Sequence, residues 1–266
     1  MFGPNAARVR SGCKIPTSDG GPNVRGAKMT ANATTRYHLK LNKAVARVIE
    51  HSTADPGEVG RIQEKIDELT QWERVLSNRP ESLVLRSAIS EATVGAFLLI
   101  SGLYRPAFVS LRLFLEMSLA MVHFSSNRLD LAEWTQGRRD VNWSELIDSG
   151  VGVLSRRYAD AFFPDLRETV STYNSIGGKA YRELSEYVHG NRQTWVNTPE
   201  SIEFSATLQT QWASQFDAAT GVVMYAMALR FLKELGPAEV APLSATIGVS
   251  LGHIQAIQEY LRSGRI

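Results

Sequence analysis

The sequence predicts an all-α protein: a helical bundle with a helical hairpin arm and a disordered N-terminal tail. Apolar residues recur at intervals of three and four along most of the 266 residues, which is the period of an amphipathic helix. No run of four to eight residues alternates between apolar and polar side chains in the way that a half-buried strand would. The composition, 44% hydrophobic and 21% charged, is that of a globular protein with a substantial core.

Residues 1–31 are rich in Gly and Pro and show no periodicity, which predicts a flexible tail. The tail is either a mobile extension or the product of an upstream start, with Met29 as the first residue. Residues 1–30 carry a net charge of +4, which leaves −2 on the rest of a chain whose total is +2. Because the body is not basic, we expect any RNA to be held at a local site rather than on a broad basic face.

Residues 32–266 are predicted to form one all-α domain, which begins with a helical arm over residues 32–78. In the first helix of this arm, Leu41, Val45 and Val48 share a face. Asp55 followed by Pro56 is a helix-start signal, and the apolar residues after it have a coiled-coil-like spacing. The arm is therefore predicted to be a helical hairpin packed on the body.

Residues 80–235 are predicted to form the core, and residues 238–266 a closing helix. Two apolar helices open the core, and Pro106 separates or kinks them. Their apolar runs are short or interrupted by charged residues, so we expect buried core helices and no membrane span. A looser region follows over residues 127–164, and the next helix is predicted to break or bend at Gly177–Gly178.

The sequence contains no signal for a disulfide, a metal or an organic cofactor. Its single cysteine, Cys13, cannot form an intramolecular disulfide, which fits a reducing cytoplasm. No Gly-rich phosphate loop and no His-Glu-x-x-His motif is present, and no two of the five histidines have metal-ligand spacing on one helix. We therefore predict a cytoplasmic protein without a bound cofactor or metal.

The stretch "YRELSEYVHGN", residues 181–191, is the strongest candidate for a functional site. At about 100° per residue, Arg182 and His189 lie on one helical face two turns apart, with Ser185 and Glu186 between them. Gly190 then provides a C-terminal stop. An arginine fork binds phosphate, and an imidazole can take or give a proton near neutral pH. The two side chains could therefore cleave RNA without metal; the alternative is a salt-bridged surface, or a histidine that caps a helix end.

A second polar stripe consists of Arg112, Glu116 and His123 on an otherwise apolar helix. Charged groups inside a core are costly unless they are paired. Arg112 and Glu116 either neutralise each other or anchor a loop, or else Glu116 supports the first stretch by orienting His189 or binding Arg182.

Basic residues with tryptophans nearby suit single-stranded RNA, although they suit ordinary surface loops more often. Such mixtures occur around "QGRRD" (136–140), "SRRY" (155–158) and the pair Lys179 and Arg192. The nearby tryptophans are Trp134, Trp143 and Trp195.

The candidate stretch resembles the motif of the HEPN superfamily: an arginine, four to six residues, then a histidine, near the end of a helix in an all-α bundle. The wider pattern "LYRPAFVSLRLFLEMSLAMVHFS…YRELSEYVHGN" resembles HEPN-like bacterial proteins of defence and abortive infection, over roughly residues 80–235. The resemblance implies a metal-independent endoribonuclease that acts as a homodimer, a toxin or antiphage effector leaving a 2′,3′-cyclic phosphate. It implies catalytic roles for Arg182 and His189. The supporting residues would be Glu186, Glu116, Arg112, Ser185, Tyr181 and Asn191.

Two residues depart from the family pattern. Glu183 follows the arginine, where Asn, Asp or His is frequent, and Asn191 stands where the subgroup controlled by a nucleotidyltransferase antitoxin has Tyr. The alternative that the resemblance allows is a non-catalytic HEPN-like helical module. It would bind a partner defence or antitoxin protein within a larger complex.

Overall fold

A computed structural model describes the backbone of residues 24–263 and the side chains of residues 32–263, and every regular element in this range is helical. The all-α prediction is therefore confirmed. Residues 1–23 of the predicted tail lie outside the described residues. Of the described residues, those up to Leu41 and those from Asn42 onward belong to two separate units, and the core described below belongs to the second.

The helices of the described range follow one another with short connections, and two 3₁₀ turns, Pro164–Leu166 and Ala241–Leu243, lie among them. In chain order the helices are α1 (Val24–Ser52), α2 (Pro56–Val75), α3 (Ser82–Ile100), α4 (Tyr104–Ser126), α5 (Arg128–Thr135), α6 (Trp143–Leu146), α7 (Arg156–Phe162), α8 (Val170–Val188), α9 (Arg192–Val196), α10 (Ala206–Phe231), α11 (Pro237–Val240), α12 (Ser244–Leu251) and α13 (Gln255–Arg262).

Helices α4 and α10 form the centre of the core, with α3, α8 and α2 packed around them. Phe114 of α4 and Phe216 of α10 are fully buried and in contact, with ring centroids 5.9 Å apart. Gly95 lets α3 approach α4 closely, because a Cβ at this position would lie 3.3 Å from the carbonyl oxygen of Ala107. This packing places α8 against α4 on one side and α10 on the other.

Helix α8 runs through Gly177 and Gly178 without the break that was one of the two predicted outcomes. Gly177 is buried against α10, where a Cβ would lie only 3.3 Å from Cγ1 of Val222. The glycine therefore allows two helices to approach each other, a requirement that the local sequence pattern does not reveal.

The closing segment is divided into short helices rather than folded as one. Helix α12 ends at Leu251, and the next helix starts after Ile254, whose backbone is extended, with φ −91° and ψ 116°. A side chain at Gly252 would collide with the carbonyl oxygen of Gly248, so glycine is required at this turn. The periodicity continues across the turn because both helices pack their apolar sides on the same core.

By length and composition, α3 and α4 could each cross a membrane. The most apolar window of α4 is 61% buried inside the protein, whereas that of α3 is 33% buried. A mostly buried core helix of a soluble protein has the same length and composition, so the two helices are weak evidence for a membrane span.

Candidate functional site

Helix α8 ends where the sequence predicts, at the end of the candidate stretch. His189 follows Val188 as the C-terminal cap, and its backbone N–H donates to the carbonyl oxygen of Ser185 at 3.1 Å. Gly190 has a φ of +68°, the left-handed conformation that glycine adopts readily after a helix. The predicted stop at Gly190 is confirmed, and it places the His189 side chain at the last turn of α8.

Arg182 and His189 are both exposed. Neither side chain forms a hydrogen bond or an ion pair with any of the described residues. The rings of three other histidines contact neighbouring side chains. His123 binds Asp130 at 2.7 Å, His253 binds the Tyr173 hydroxyl at 3.1 Å, and His51 stacks on Phe204. The imidazole of His189 is therefore accessible to a ligand.

The Arg112 guanidinium connects α4 to α8. Its Nε donates to the Ser185 hydroxyl at 3.2 Å, and Nη2 donates to the Tyr181 hydroxyl. Nη1 lies 3.8 Å from the carboxylate of Glu116, one turn further along α4. The Ser185 hydroxyl in turn donates to the carbonyl oxygen of Tyr181 at 2.7 Å. The structure thus brings together four of the residues predicted to support the site: Arg112, Glu116, Tyr181 and Ser185.

Partial burial changes the acidity of two groups in this cluster. The pKa of Glu116 is raised by burial, although the charge of Arg112 and a hydrogen bond with Tyr181 oppose the shift. The pKa of Tyr181 is raised by burial and by the negative charge of Glu116. Trp143, the first residue of α6, stacks on the Tyr181 ring with centroids 3.9 Å apart and covers this side of the cluster.

The predicted polar stripe on α4 is divided between two neighbours. Arg112 and Glu116 face α8, whereas His123 binds Asp130 of α5. Within the described residues, Glu116 has its contacts with Arg112 and Tyr181 and none with Arg182 or His189.

Asn191 and Glu186, the other two residues predicted to support the site, bind each other. The Asn191 side-chain amide donates to the Glu186 carboxylate, and its Oδ1 accepts from the backbone N–H of Gln193 at 2.9 Å. The second bond caps the start of α9, in the way that asparagine commonly caps helices. Asn191 therefore joins the end of α8 to α9.

A groove of about 430 Å³ lies between the C-terminal half of α8, the short helix α9 and the start of α10. Its lining is polar, with carboxylates, side-chain amides and hydroxyl groups, and includes no cationic side chain. Arg182 and His189 lie outside it. The lining residues are Glu183, Glu186, Tyr187, Asn191, Gln193, Thr194, Asn197 and Gln211. A groove with this lining repels phosphate and suits groups that donate hydrogen bonds.

Arg105 is a residue that the sequence analysis missed. From the first turn of α4 it donates to the carbonyl oxygen of Tyr187 at 2.6 Å and to the Thr194 hydroxyl at 3.0 Å. Its guanidinium also lies 3.9 Å from the ring centroid of Trp195. Arg105 thus fixes α9 against the end of α8. The only sequence signal is an arginine at the start of an apolar helix.

No group of three or more His, Cys, Asp or Glu side chains that could hold a metal ion occurs among the residues described here. Comparisons with family models, with curated proteins and with solved structures gave no match for this chain. The resemblance to the HEPN superfamily therefore rests on the motif and on its helical surroundings.

Proposed function

We propose that this chain is a HEPN-like, metal-independent endoribonuclease that acts in the cytoplasm as a toxin or antiphage effector. The observation that carries the proposal is the position of Arg182 and His189. Both are exposed on the outer face of α8, and neither side chain is bound to a described residue. Arg112 and His123, by contrast, are each bound to a neighbouring side chain.

In the proposed reaction, the 2′-oxygen of a ribose attacks the adjacent phosphorus and the bond from phosphorus to the 5′-oxygen breaks. An imidazole of His189 takes the 2′-hydroxyl proton, and a protonated imidazole supplies a proton to the leaving 5′-oxygen. Arg182 binds the phosphate and stabilises the charge that develops on it. The products are a 2′,3′-cyclic phosphate and a 5′-hydroxyl end.

Base and acid are two roles, and each chain offers one histidine at this position. A homodimer that brings two α8 helices together would supply both, as the resemblance to the HEPN superfamily implies. The exposed apolar side chains of α4, Val109 and Leu113, lie on the surface that continues from Arg112 and are available for such an interface. Val94 and Phe97 add further exposed apolar surface on the neighbouring helix α3.

The test is cleavage of a single-stranded RNA by the purified protein in EDTA. Cleavage should persist and leave a 2′,3′-cyclic phosphate. His189→Ala should reduce the rate by roughly 10² to 10⁴-fold, since this is the usual contribution of an acid-base group. Arg182→Ala should also be strongly impaired, whereas His38→Ala, which removes another exposed histidine, should not. Equal cleavage by wild type and His189→Ala would contradict the proposal, and loss of cleavage on chelation would indicate a metal-dependent reaction.

A second test uses cells, because a toxic ribonuclease slows growth. Expression of the wild-type chain should reduce the growth rate, and His189→Ala should relieve the effect. Equal toxicity of the two proteins would show that growth inhibition does not depend on His189.

The alternative function is a non-catalytic HEPN-like module that binds a partner defence or antitoxin protein. The observation in its favour is the groove beside α8, which has carboxylates and amides but neither Arg182 nor His189 in its lining. If the wild-type protein binds RNA without cleaving it, or binds no RNA at all, this alternative replaces the endoribonuclease.

A further inference from the structure

Trp195 differs from the other tryptophans of the described residues because its ring is largely exposed. Trp72 and Trp212 are fully buried, Trp134 packs on Phe124 and Trp143 stacks on Tyr181. Trp195 has 59% of its surface exposed. Exposure of so large an aromatic side chain is unfavourable in water, so the ring is a candidate for contact with a ligand.

Arg105 holds the Trp195 ring in place from one face. The Arg105 guanidinium lies 3.9 Å from the ring centroid, and its two terminal nitrogens are bound to Tyr187 and Thr194. Tyr187 is itself fixed by a stack on Phe108, with ring centroids 3.9 Å apart. One face of the indole therefore rests on a fixed cation, and the exposed area belongs to the remainder of the ring.

The ring also lies close to the turn that follows the proposed catalytic histidine. A Cβ on Gly190, the residue that follows His189, would lie 3.5 Å from Nε1 of Trp195. The indole edge therefore borders the turn that ends α8, on the side of α9 where Arg105 lies.

The charges around α8 favour an RNA backbone on this side. Arg182 and His189 lie on the outer face of the helix and Arg192 is exposed at the start of α9. Glu183 and Glu186 line the groove on the other flank, where they repel phosphate. A strand whose phosphate is held by Arg182 would therefore pass the end of α8 toward Trp195 rather than into the groove.

We propose that Trp195 is a stacking platform for an unpaired base of the RNA that Arg182 and His189 act on. Every base has a π face, so the platform selects single-stranded over paired RNA without selecting a sequence. The cation beneath the ring strengthens its interaction with a base above it. This inference rests on the proposed endoribonuclease function, because it assigns one nucleotide of that substrate a binding position.

The test measures binding rather than cleavage. A fluorescent single-stranded RNA with 2′-O-methyl groups cannot be cleaved by attack of its 2′-oxygen, so its affinity can be titrated with the wild-type protein. Trp195→Ala should weaken binding by roughly 5- to 150-fold, the range expected for loss of one stacked base. Trp195→Phe should retain most of the affinity. Trp134→Phe, a change at a half-buried tryptophan that packs on Phe124, is the matched control and should bind as the wild type does.

A single abasic nucleotide placed in turn along the RNA locates the stacked base. In the wild type one position should cost affinity, and Trp195→Ala should remove that cost, because the two changes eliminate the same contact. Thermal melts verify that Trp195→Ala is folded. A folded Trp195→Ala with unchanged affinity overturns the inference, even if the wild type cleaves RNA. Loss of self-association in that variant with intact RNA binding overturns it too, because the ring would then belong to a protein interface. Absence of any RNA binding by the wild type removes the proposed function itself.

Discussion

Arg112 on α4 donates a hydrogen bond to the Tyr181 hydroxyl on α8, and so connects the apolar core to the first residue of the candidate stretch. The same guanidinium also binds Ser185, and it lies 3.8 Å from Glu116. One side chain therefore fixes the position of α8 at two consecutive turns. A helix held in this way presents Arg182 and His189 in a defined orientation on its adjacent, exposed side.

We expect Arg112→Met to destabilise the protein more than Glu116→Leu does. The arginine variant leaves the Glu116 carboxylate, 14% exposed, without its cation and leaves two hydroxyl groups without a donor. The glutamate variant leaves Arg112 with both hydroxyl acceptors. Removing one partner of a fully buried pair costs about 3 to 5 kcal/mol, and the partial exposure of this pair should bring the larger cost to roughly 2 to 4 kcal/mol. Urea unfolding measures the difference.

The control for this comparison is the ion pair between Lys65 and Asp217, which is 3.5 Å long and whose carboxylate is 56% exposed. Lys65→Met should cost no more than about 1 kcal/mol, as is usual for surface pairs, because the carboxylate that it leaves behind is hydrated. Equal costs for Arg112→Met and Lys65→Met would show that the contacts of Arg112 with α8 and Glu116 add no stability.

Glu116 should make stability depend on pH. Because burial raises its pKa above the ordinary value of 4.5, the folded chain holds this proton in a pH range where the unfolded chain has lost it. The contribution of Glu116 to the free energy of unfolding therefore falls as the pH rises from 4.5 to the raised pKa, and stays reduced above it. Glu116→Gln removes this titration. The free energy of unfolding of Glu116→Gln relative to the wild type should increase between about pH 4 and pH 7.

Glu200→Gln removes an exposed carboxyl group and controls for the loss of one negative charge. Denaturant midpoints of the three proteins at both pH values give the answer. If the difference between Glu116→Gln and the wild type is the same at the two values, Glu116 has no raised pKa in the folded chain.

Gly190 at the end of α8 and Gly178 within it should respond in opposite ways to alanine. Gly190→Ala should cost about 1 to 2 kcal/mol, because its φ of +68° strains any residue with a Cβ. The space itself is adequate, since the added Cβ would be 3.5 Å from Trp195. Gly178→Ala lies within α8, with its Cβ 3.6 Å from Arg182, and should stabilise by up to about 1 kcal/mol. Thermal melts of both variants show whether each substitution raises or lowers the stability. A Gly190→Ala variant as stable as the wild type would contradict a strained turn at this position.

The helical period and the stop signal at Gly190 are enough to predict that Arg182 and His189 share one face of α8 and that the helix ends before Gly190. The spacing of Arg182 and His189 and the glycine at 190 depend only on local backbone geometry, which the sequence carries. The partner of Arg112 could not be predicted in this way. Spacing places Arg112 and Glu116 on one face of α4, but it does not say which helix packs on that face, and α8 is 69 residues away from Arg112 at Tyr181.

The features that the sequence does not predict, such as helix α9 and the unbroken course of α8, also depend on tertiary contacts. Helix α9 has five residues, too few for a recognisable period, so neither it nor the role of Arg105 in fixing it could be inferred. At Gly177 the pattern predicted a break or a bend because glycine disfavours helix, whereas the tertiary contact with Val222 keeps α8 continuous. Both outcomes depend on contacts between residues that are distant in the sequence.

Arg112→Met and Glu116→Leu combined test whether this pair does more than neutralise itself. Removing both charges leaves no unpaired ion, so the double variant should be close to the wild type in stability. If the pair only neutralises itself, RNA cleavage should also be unchanged. We expect instead that cleavage falls by about 10- to 100-fold, because Tyr181 and Ser185 lose the donor that positions α8.

A positioning role has a kinetic signature that general destabilisation lacks. The loss should appear in the rate at saturating RNA, while the affinity for uncleavable RNA stays the same, because the phosphate and base contacts lie outside the cluster. Lys65→Met combined with Asp217→Leu, which removes an ion pair with an exposed carboxylate, is the control and should leave both quantities unchanged. A double variant at Arg112 and Glu116 that is both stable and fully active would eliminate the positioning role of this pair.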